Sequence, residues 1–274
     1  VTRPDGSRPR VRLLAPVGTD LHVAAELRAA RRAVRPGTRV EVRHLPGLPA
    51  TVYVPPEELF VPALVRAAVA AEREGVDAIG ISCCSDPGLD AVRAAVSVPV
   101  TAPFESACAL LPALGPLAVL CVDVPPGAGE SEAVGADWVP VLAARYGVAD
   151  LVPPPYPVPV ARPAVERGDP RAVGAALVAA QREGLRRHGP AVARTAETAG
   201  ARALLPACTY WTGTTGVLAA STRLPVLDPV EVLARHVEAL ALARGPATAG
   251  GAPTPGGAPT DETTTPTRAL DGHP

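Results

Sequence analysis

The stretch "AIGISCCSDPGL", Ala78 to Leu89, decides how the rest of the chain is read. A short apolar run ends in two adjacent thiols, and Ser85-Asp86-Pro87-Gly88 turns the chain at once. An apolar run of this length bounded by turn residues reads as a buried strand of a parallel sheet. A second stretch, "ALLPACTYWTG", Ala203 to Gly213, has the same layout: apolar run, thiol, turn. Asp86 suits a helix N-cap and Pro87 a first helical position, so a helix is expected to start there.

Strand and helix alternate outward from these two stretches. "VRLLAPV", Val11 to Val17, is the first expected strand, and a helix is expected to run from "GTD" to Val34. "TRVEVRHL" follows as a strand, then a helix from Pro56 to Arg73, the strand "VDAIGIS" and a fourth strand "VPVTAP". The pattern then restarts with "PLAVLCV", a helix over Trp138–Tyr146, the broken extended segment "VADLVPPPYPV" and a long helix over Val173–Ala199. "ARALLPAC", a helix from Thr214, "LPVLDPV" as a strand and a last helix over Val230–Arg244 complete it. "VPVTAP" follows Cys83 at nearly the spacing at which "LPVLDP" follows Cys208, which reads as an internal repeat.

The expected fold is α/β, with two similar lobes related by a pseudo-two-fold axis. Each lobe is a parallel sheet flanked by helices, and the site lies between them. Residues 1–103 with 225–245 make lobe one and 104–224 lobe two; the Gly/Pro/Thr-rich stretch 246–274 reads as a disordered tail.

Composition narrows the chemistry. All 26 basic residues are Arg, because the chain has no Lys. Pyridoxal phosphate, which needs a Lys Schiff base, and a Walker phosphate loop, which needs its Lys, are thereby excluded. No GxGxxG opens a helix after the first strand, so no nicotinamide cofactor is expected. The net charge of −1 leaves no footprint for nucleic acid or an anionic membrane. The five cysteines show no CxxC spacing, so neither a disulfide framework nor a metal site is expected. "VTRPDGSRPR" lacks an apolar signal core, and no apolar run spans a bilayer, so the expected location is cytoplasmic.

Ligands of open α/β sheets bind beyond the carboxyl ends of the strands, where Cys83 and Cys208 both fall. Each thiol precedes an expected helix, whose free N–H groups and dipole would favour thiolate and lower the thiol pKa. The two are therefore expected to face each other across one cleft. Cys84 is the alternative to Cys83, which the residue count to the helix start favours. Cys108 and Cys121, inside apolar runs, read as inert core thiols. Tyr210 and Trp211 read equally as pocket or as core, and His22 is a weaker candidate for the site.

"AIGISCCSDPGLDAVR", "VPVTAPFESA", "ARALLPAC" and "LPVLDPV" together resemble the aspartate/glutamate racemase superfamily, most closely its hydantoin racemase-like branch. The resemblance covers residues from about 10 to 244. It implies a cofactor-independent racemase or epimerase in which Cys83 and Cys208 exchange a proton with a carbon beside a carbonyl. It also implies substrate contacts from Gly18, Thr19, Cys84, Ser85, Thr209 and Tyr210, with Asp86, Glu105 and Asp228 supporting them from behind. The implied partner is a small molecule, a hydantoin or amino-acid derivative, and family members are often homo-oligomers. Two departures stand out. The branch usually carries Asn-Pro-Asn after its first strand, where this chain has Ala15-Pro16-Val17-Gly18-Thr19, and small residues after its second Cys, where this chain has Thr209-Tyr210-Trp211. A decarboxylase or cis–trans isomerase of small carboxylic acids, or a non-catalytic relative, are the rival expectations.

Overall fold

The computed structural model of the protein describes residues 8–48, 57–124, 136–166 and 168–244; the tail expected from residue 246 lies outside them. The apolar strands β1 (Arg10–Ala15) and β3 (Ala78–Ile81) are buried almost throughout, so their sheet needs cover on both faces. β2 (Arg39–His44) alternates buried and exposed residues and lies at the edge. With the short β4 (Val100–Thr101) these strands form a parallel sheet in the order β2-β1-β3-β4. α1 (Val23–Ala33) covers one face, and α2 (Glu57–Arg73) and α3 (Leu89–Ala95) the other.

The second sheet repeats the plan. β5 (Leu117–Asp123) lies between β6 (Tyr156–Pro159) and β7 (Ala203–Pro206), all parallel. Val226 adds a parallel bridge to Leu204 on the outer side of β7, where β4 would lie in the first sheet. One face carries α4 (Pro103–Cys108), α5 (Leu111–Leu114) and α6 (Trp138–Arg145). The other carries α7 (Pro170–Thr198), α8 (Gly216–Ala219) and the fully buried Trp211.

The two units exchange helices. Pro103 opens α4 directly after β4, but α4 buries Phe104 and Ala107 with Leu117 and Val119 of the second sheet. Pro229 opens α9 (Pro229–Arg244) just after the Val226 bridge, and α9 buries Leu233 and Val237 with Val11 and Leu13 of the first. Proline suits a first helical position, where its missing N–H has no partner to lose.

Three expectations need correction. "LPVLDPV" is not a strand beyond its one bridge, because Pro225 and Pro229 leave little backbone to pair. The helix expected at Asp86 starts at Leu89, with left-handed Gly88 before it. The helix expected from "GTD" starts at Val23, because residues 16–22 form a loop that includes a local turn at Thr19.

Close approach of α7 to β6 requires a glycine. A Cβ at Gly184 would lie 2.6 Å from Val160 Cγ2 and 2.8 Å from the Pro159 carbonyl oxygen. Gly184→Ala is expected to lower the thermal midpoint, because overpacking costs about 1–3 kcal/mol and outweighs the roughly 1 kcal/mol gain in helix propensity. Gly216→Ala, whose Cβ would meet nothing within 4 Å, is expected to be neutral or stabilising in the same thermal unfolding measurement.

Candidate active site

β3 and β7 leave their sheets in the same way. The Ser82 N–H donates to the Leu14 carbonyl at 2.8 Å, and the Cys83 N–H folds back onto the Ile81 carbonyl at 3.0 Å. The Ala207 N–H donates to the Leu120 carbonyl at 2.8 Å, and the Cys208 N–H folds back onto the Pro206 carbonyl at 2.8 Å. Each is a three-residue γ-turn that ends the ladder and has the cysteine as its last residue. The two cysteines thus occupy equivalent points of the repeated unit.

Both border one cavity of about 330 Å³, a size that suits a small organic molecule. Its wall is built from the carboxyl ends of four strands: Ala15-Pro16-Val17 after β1, Ser82 to Ser85 after β3, Cys121 and Val122 of β5, and Ala207 to Tyr210 after β7. His22, Trp138, Leu177 and Gln181 close the sides. Of the expected site residues, Cys83, Cys84, Ser85, Cys208, Thr209 and Tyr210 all stand on this wall. Cys83 and Cys208 are partly exposed, whereas Cys84 is buried.

Gly18 and Thr19 are not among the lining residues. The Thr19 hydroxyl accepts the Leu21 N–H at 3.4 Å, and a Cβ on Gly174 of α7 would lie 3.0 Å from it. The hydroxyl is thus turned toward its own backbone and α7. Tyr210 faces the cavity while Trp211 belongs to the core, its Nε1 donating to the Gln181 carbonyl at 2.8 Å. Cys108 is a core thiol, but Cys121, read from sequence as inert core, reaches the wall.

The three carboxylates expected behind the site have structural partners. Asp86 accepts the backbone N–H groups of Phe104 at 3.0 Å and Glu105 at 2.8 Å, and the Tyr146 hydroxyl at 2.8 Å. It therefore caps α4 rather than the helix that follows it in sequence, and its own backbone is left-handed at φ 47°. Burial raises its pKa to about 7 against the pull of these hydrogen bonds. Asp228 plays the matching part for α9, accepting the N–H of Val230 at 3.1 Å and the hydroxyls of Thr212 and Thr215 at 3.1 Å each. Glu105 accepts from Arg93 at 2.6 Å and from the Thr101 hydroxyl at 2.7 Å.

The expected acidification of the thiols is reversed. Burial raises the pKa of Cys83 and pushes that of Cys208 up to about 12. The hydroxyl and N–H of Ser85 act on Cys83 in the opposite sense, as do the N–H groups of Tyr210 and Trp211 on Cys208, but desolvation outweighs them. A helix N-terminus lowers a thiol pKa only where the sulfur keeps enough solvation.

Sequence reasoning missed Glu26. It lies one helical turn beyond His22 on α1, fully buried, and accepts the Ser82 hydroxyl at 2.8 Å. Burial raises its pKa to about 8, while the hydroxyls of Ser82 and Thr209 oppose the rise. His22, buried edge-on against Tyr210 with ring centroids 5.1 Å apart, has its pKa lowered to about 4 by burial. The available signal was the i, i+4 spacing of His22 and Glu26, which an Ala/Arg-rich helix normally turns to solvent. Among the described residues, no three His, Cys, Asp or Glu side chains gather as a metal-binding group, and no helix is long and apolar enough to cross a membrane.

Two parallel sheets with a thiol at each facing strand end define a racemase-type α/β scaffold. Residues 13–237 match the Asp/Glu/hydantoin racemase family, and the chain belongs to it, which makes it by family an isomerase of the racemase class. Among solved structures it is similar to allantoin racemase from Klebsiella pneumoniae, at 20% identity and TM-score 0.63 over 88% of this chain and 91% of that one. It is also similar to allantoin racemase from Pseudomonas fluorescens, at 16% identity and TM-score 0.57 over 88% and 94%. Glutamate racemase from Francisella tularensis matches at 14% identity and TM-score 0.54 over 87% and 82%. At these identities the likeness is one of fold. No curated protein matches the sequence.

The raised carboxyl pKa values have a consequence for stability. Glu26 and Asp86 keep their protons in the folded protein up to about pH 8 and 7, whereas ordinary carboxyls release theirs near 4.5 and 3.8. The folded state therefore binds more protons across that window, and these two groups make stability fall as pH rises through it. Thermal unfolding of Glu26→Gln between about pH 5 and 8 should show a flatter fall than wild type.

Proposed function

We propose that the protein is a cofactor-independent racemase or epimerase whose two thiols, Cys83 and Cys208, serve opposite faces of one carbon beside a carbonyl. The observation that carries this reading is the placement of both thiols on one cavity wall, at equivalent points of a repeated strand–turn unit. One thiolate removes the proton; the opposite thiol delivers a proton to the other face. The overall reaction moves one proton on and one off, so nothing is oxidised or reduced.

The high thiol pKa values fit a weak carbon acid. A thiolate formed from a group near 12 is a stronger base than an ordinary one, and so better matched to a carbon that gives up its proton reluctantly. The cost is a small thiolate population near pH 7. N–H groups of Ser85, Tyr210 and Trp211 stand ready to stabilise each sulfur when it ionises.

The wall also favours an uncharged substrate. No Arg stands among its described residues, and His22 is neutral near pH 7. The rest is Ala, Pro, Val, Leu, Trp, Cys and the uncharged polar side chains of Ser, Thr, Gln and Tyr. A zwitterionic amino acid would bring a carboxylate into this setting without a partner cation, at a cost of several kcal/mol. A neutral ring with the reacting carbon beside a carbonyl, such as a 5-substituted hydantoin with an apolar substituent, avoids that cost. The same reasoning weighs against a decarboxylase or diacid isomerase, whose substrates carry carboxylates.

The test is racemisation followed by chiral chromatography, on 5-substituted hydantoins and on the matching free amino acids. Wild type should racemise the hydantoins and leave the amino acids, and Cys83→Ser and Cys208→Ser should each lower the rate by about 10²-fold or more. Either variant racemising like wild type would remove that thiol from the reaction.

A further inference from the structure

Glu26 is a buried acid in contact with the machinery of both lobes. Its Oε2 accepts the hydroxyl of Ser82, the residue just before Cys83, at 2.8 Å. The hydroxyl of Thr209, the residue just after Cys208, is near enough to favour its ionised form. Its other oxygen, Oε1, makes no hydrogen bond and lies 3.7 Å from His22 Nε2. Among the described residues no cation compensates it: His22 is neutral near pH 7 because burial lowers its pKa to about 4. An ionised carboxylate in that position would be a buried charge without a partner, which proteins avoid by keeping the proton.

The remaining titratable groups that face it are Cys83 after β3, Cys208 and Tyr210 after β7, and Asp228 at the start of α9. A negative charge on Glu26 raises the pKa of both Cys83 and Cys208. It acts across both halves of the repeat, although it belongs to one helix of the first.

We propose that Glu26 is a positioning residue shared by the two thiols: its uncharged carboxyl holds the Ser82 side of the site beside the Thr209 side, and loss of its proton suppresses both thiolates together. In the proposed racemase, Glu26 must be neutral while a thiol is ionised, so its titration limits turnover at alkaline pH. Only that consequence for turnover rests on the racemase reading; the effect on the thiols does not.

The experiment reads thiol ionisation without substrate. The full chain is alkylated with iodoacetamide at fixed pH values from about 7 to 10, and the alkylation rates of Cys83 and Cys208, which follow their thiolate fractions, are read separately by peptide mass spectrometry. Glu26→Gln, which keeps shape and a hydrogen-bond acceptor without charge, should raise both alkylation rates above about pH 8 by roughly tenfold relative to wild type, the effect of thiol pKa values about one unit lower. Ser82→Ala provides a second route if that variant does not fold. It removes a hydrogen bond that favours ionised Glu26, so Glu26 stays neutral to higher pH and Cys208 alkylates faster at about pH 8 to 9, although Ser82 lies in the other half of the repeat. Unchanged alkylation rates in the folded variants, or a change at Cys83 alone, would overturn the proposal. A protein that alkylates as expected but racemises nothing would instead count against the racemase reading.

Discussion

The carboxylate of Asp86 accepts the first free N–H groups of α4, a helix that packs on the other sheet. Tyr146, at the end of α6, donates to the same carboxylate. Asp86 is the third residue after Cys83, so the turn that carries the first thiol is fastened to the helix layer of the second sheet. Asp228 makes the reciprocal attachment, joining Thr212 and Thr215, shortly after Cys208, to the start of α9 on the first sheet. With both crossing helices capped in this way, the carboxyl ends of β1, β3, β5 and β7 contribute to one cavity wall.

That closure also sets the chemistry. Removing a sulfur or a carboxyl from water disfavours its charged form, and in this cavity the penalty dominates at Cys83, Cys208 and Glu26 alike. The site therefore favours thiols and a carboxylic acid over thiolates and a carboxylate. Fixed N–H groups at Ser85, Tyr210 and Trp211 favour ionisation and are already in place before reaction. Such preorganised donors require little rearrangement as charge develops.

Much of this architecture was legible in the chain. The apolar run, thiol and turn at Ala78–Leu89 and again at Ala203–Gly213 specify strands that end abruptly, and the order β2-β1-β3-β4 recurs as β6-β5-β7 with Val226. What escaped is what depends on partners distant in sequence. Ser-Asp-Pro-Gly has the local form of a helix start, but Asp86 adopts a left-handed backbone and caps a helix that begins at Pro103. Thr19 has the polarity of a substrate contact, yet its hydroxyl is occupied by the Leu21 N–H. Glu26, four residues after the site candidate His22, looks like a solvated helix residue until Ser82, just before Cys83, donates to its buried carboxyl. Thiol acidity failed for a related reason, because the helix-start argument carries no information about burial.

In the proposed racemase each thiol serves one face of the same carbon. The most direct measurement supplies separate enantiomers of a 5-substituted hydantoin to Cys83→Ser and to Cys208→Ser in D₂O, and follows deuterium at the stereocentre by NMR. The account predicts that each variant exchanges one enantiomer without inverting it, and that the two variants choose opposite enantiomers. Exchange of the same enantiomer by both, or inversion by either at the wild-type rate, would contradict it.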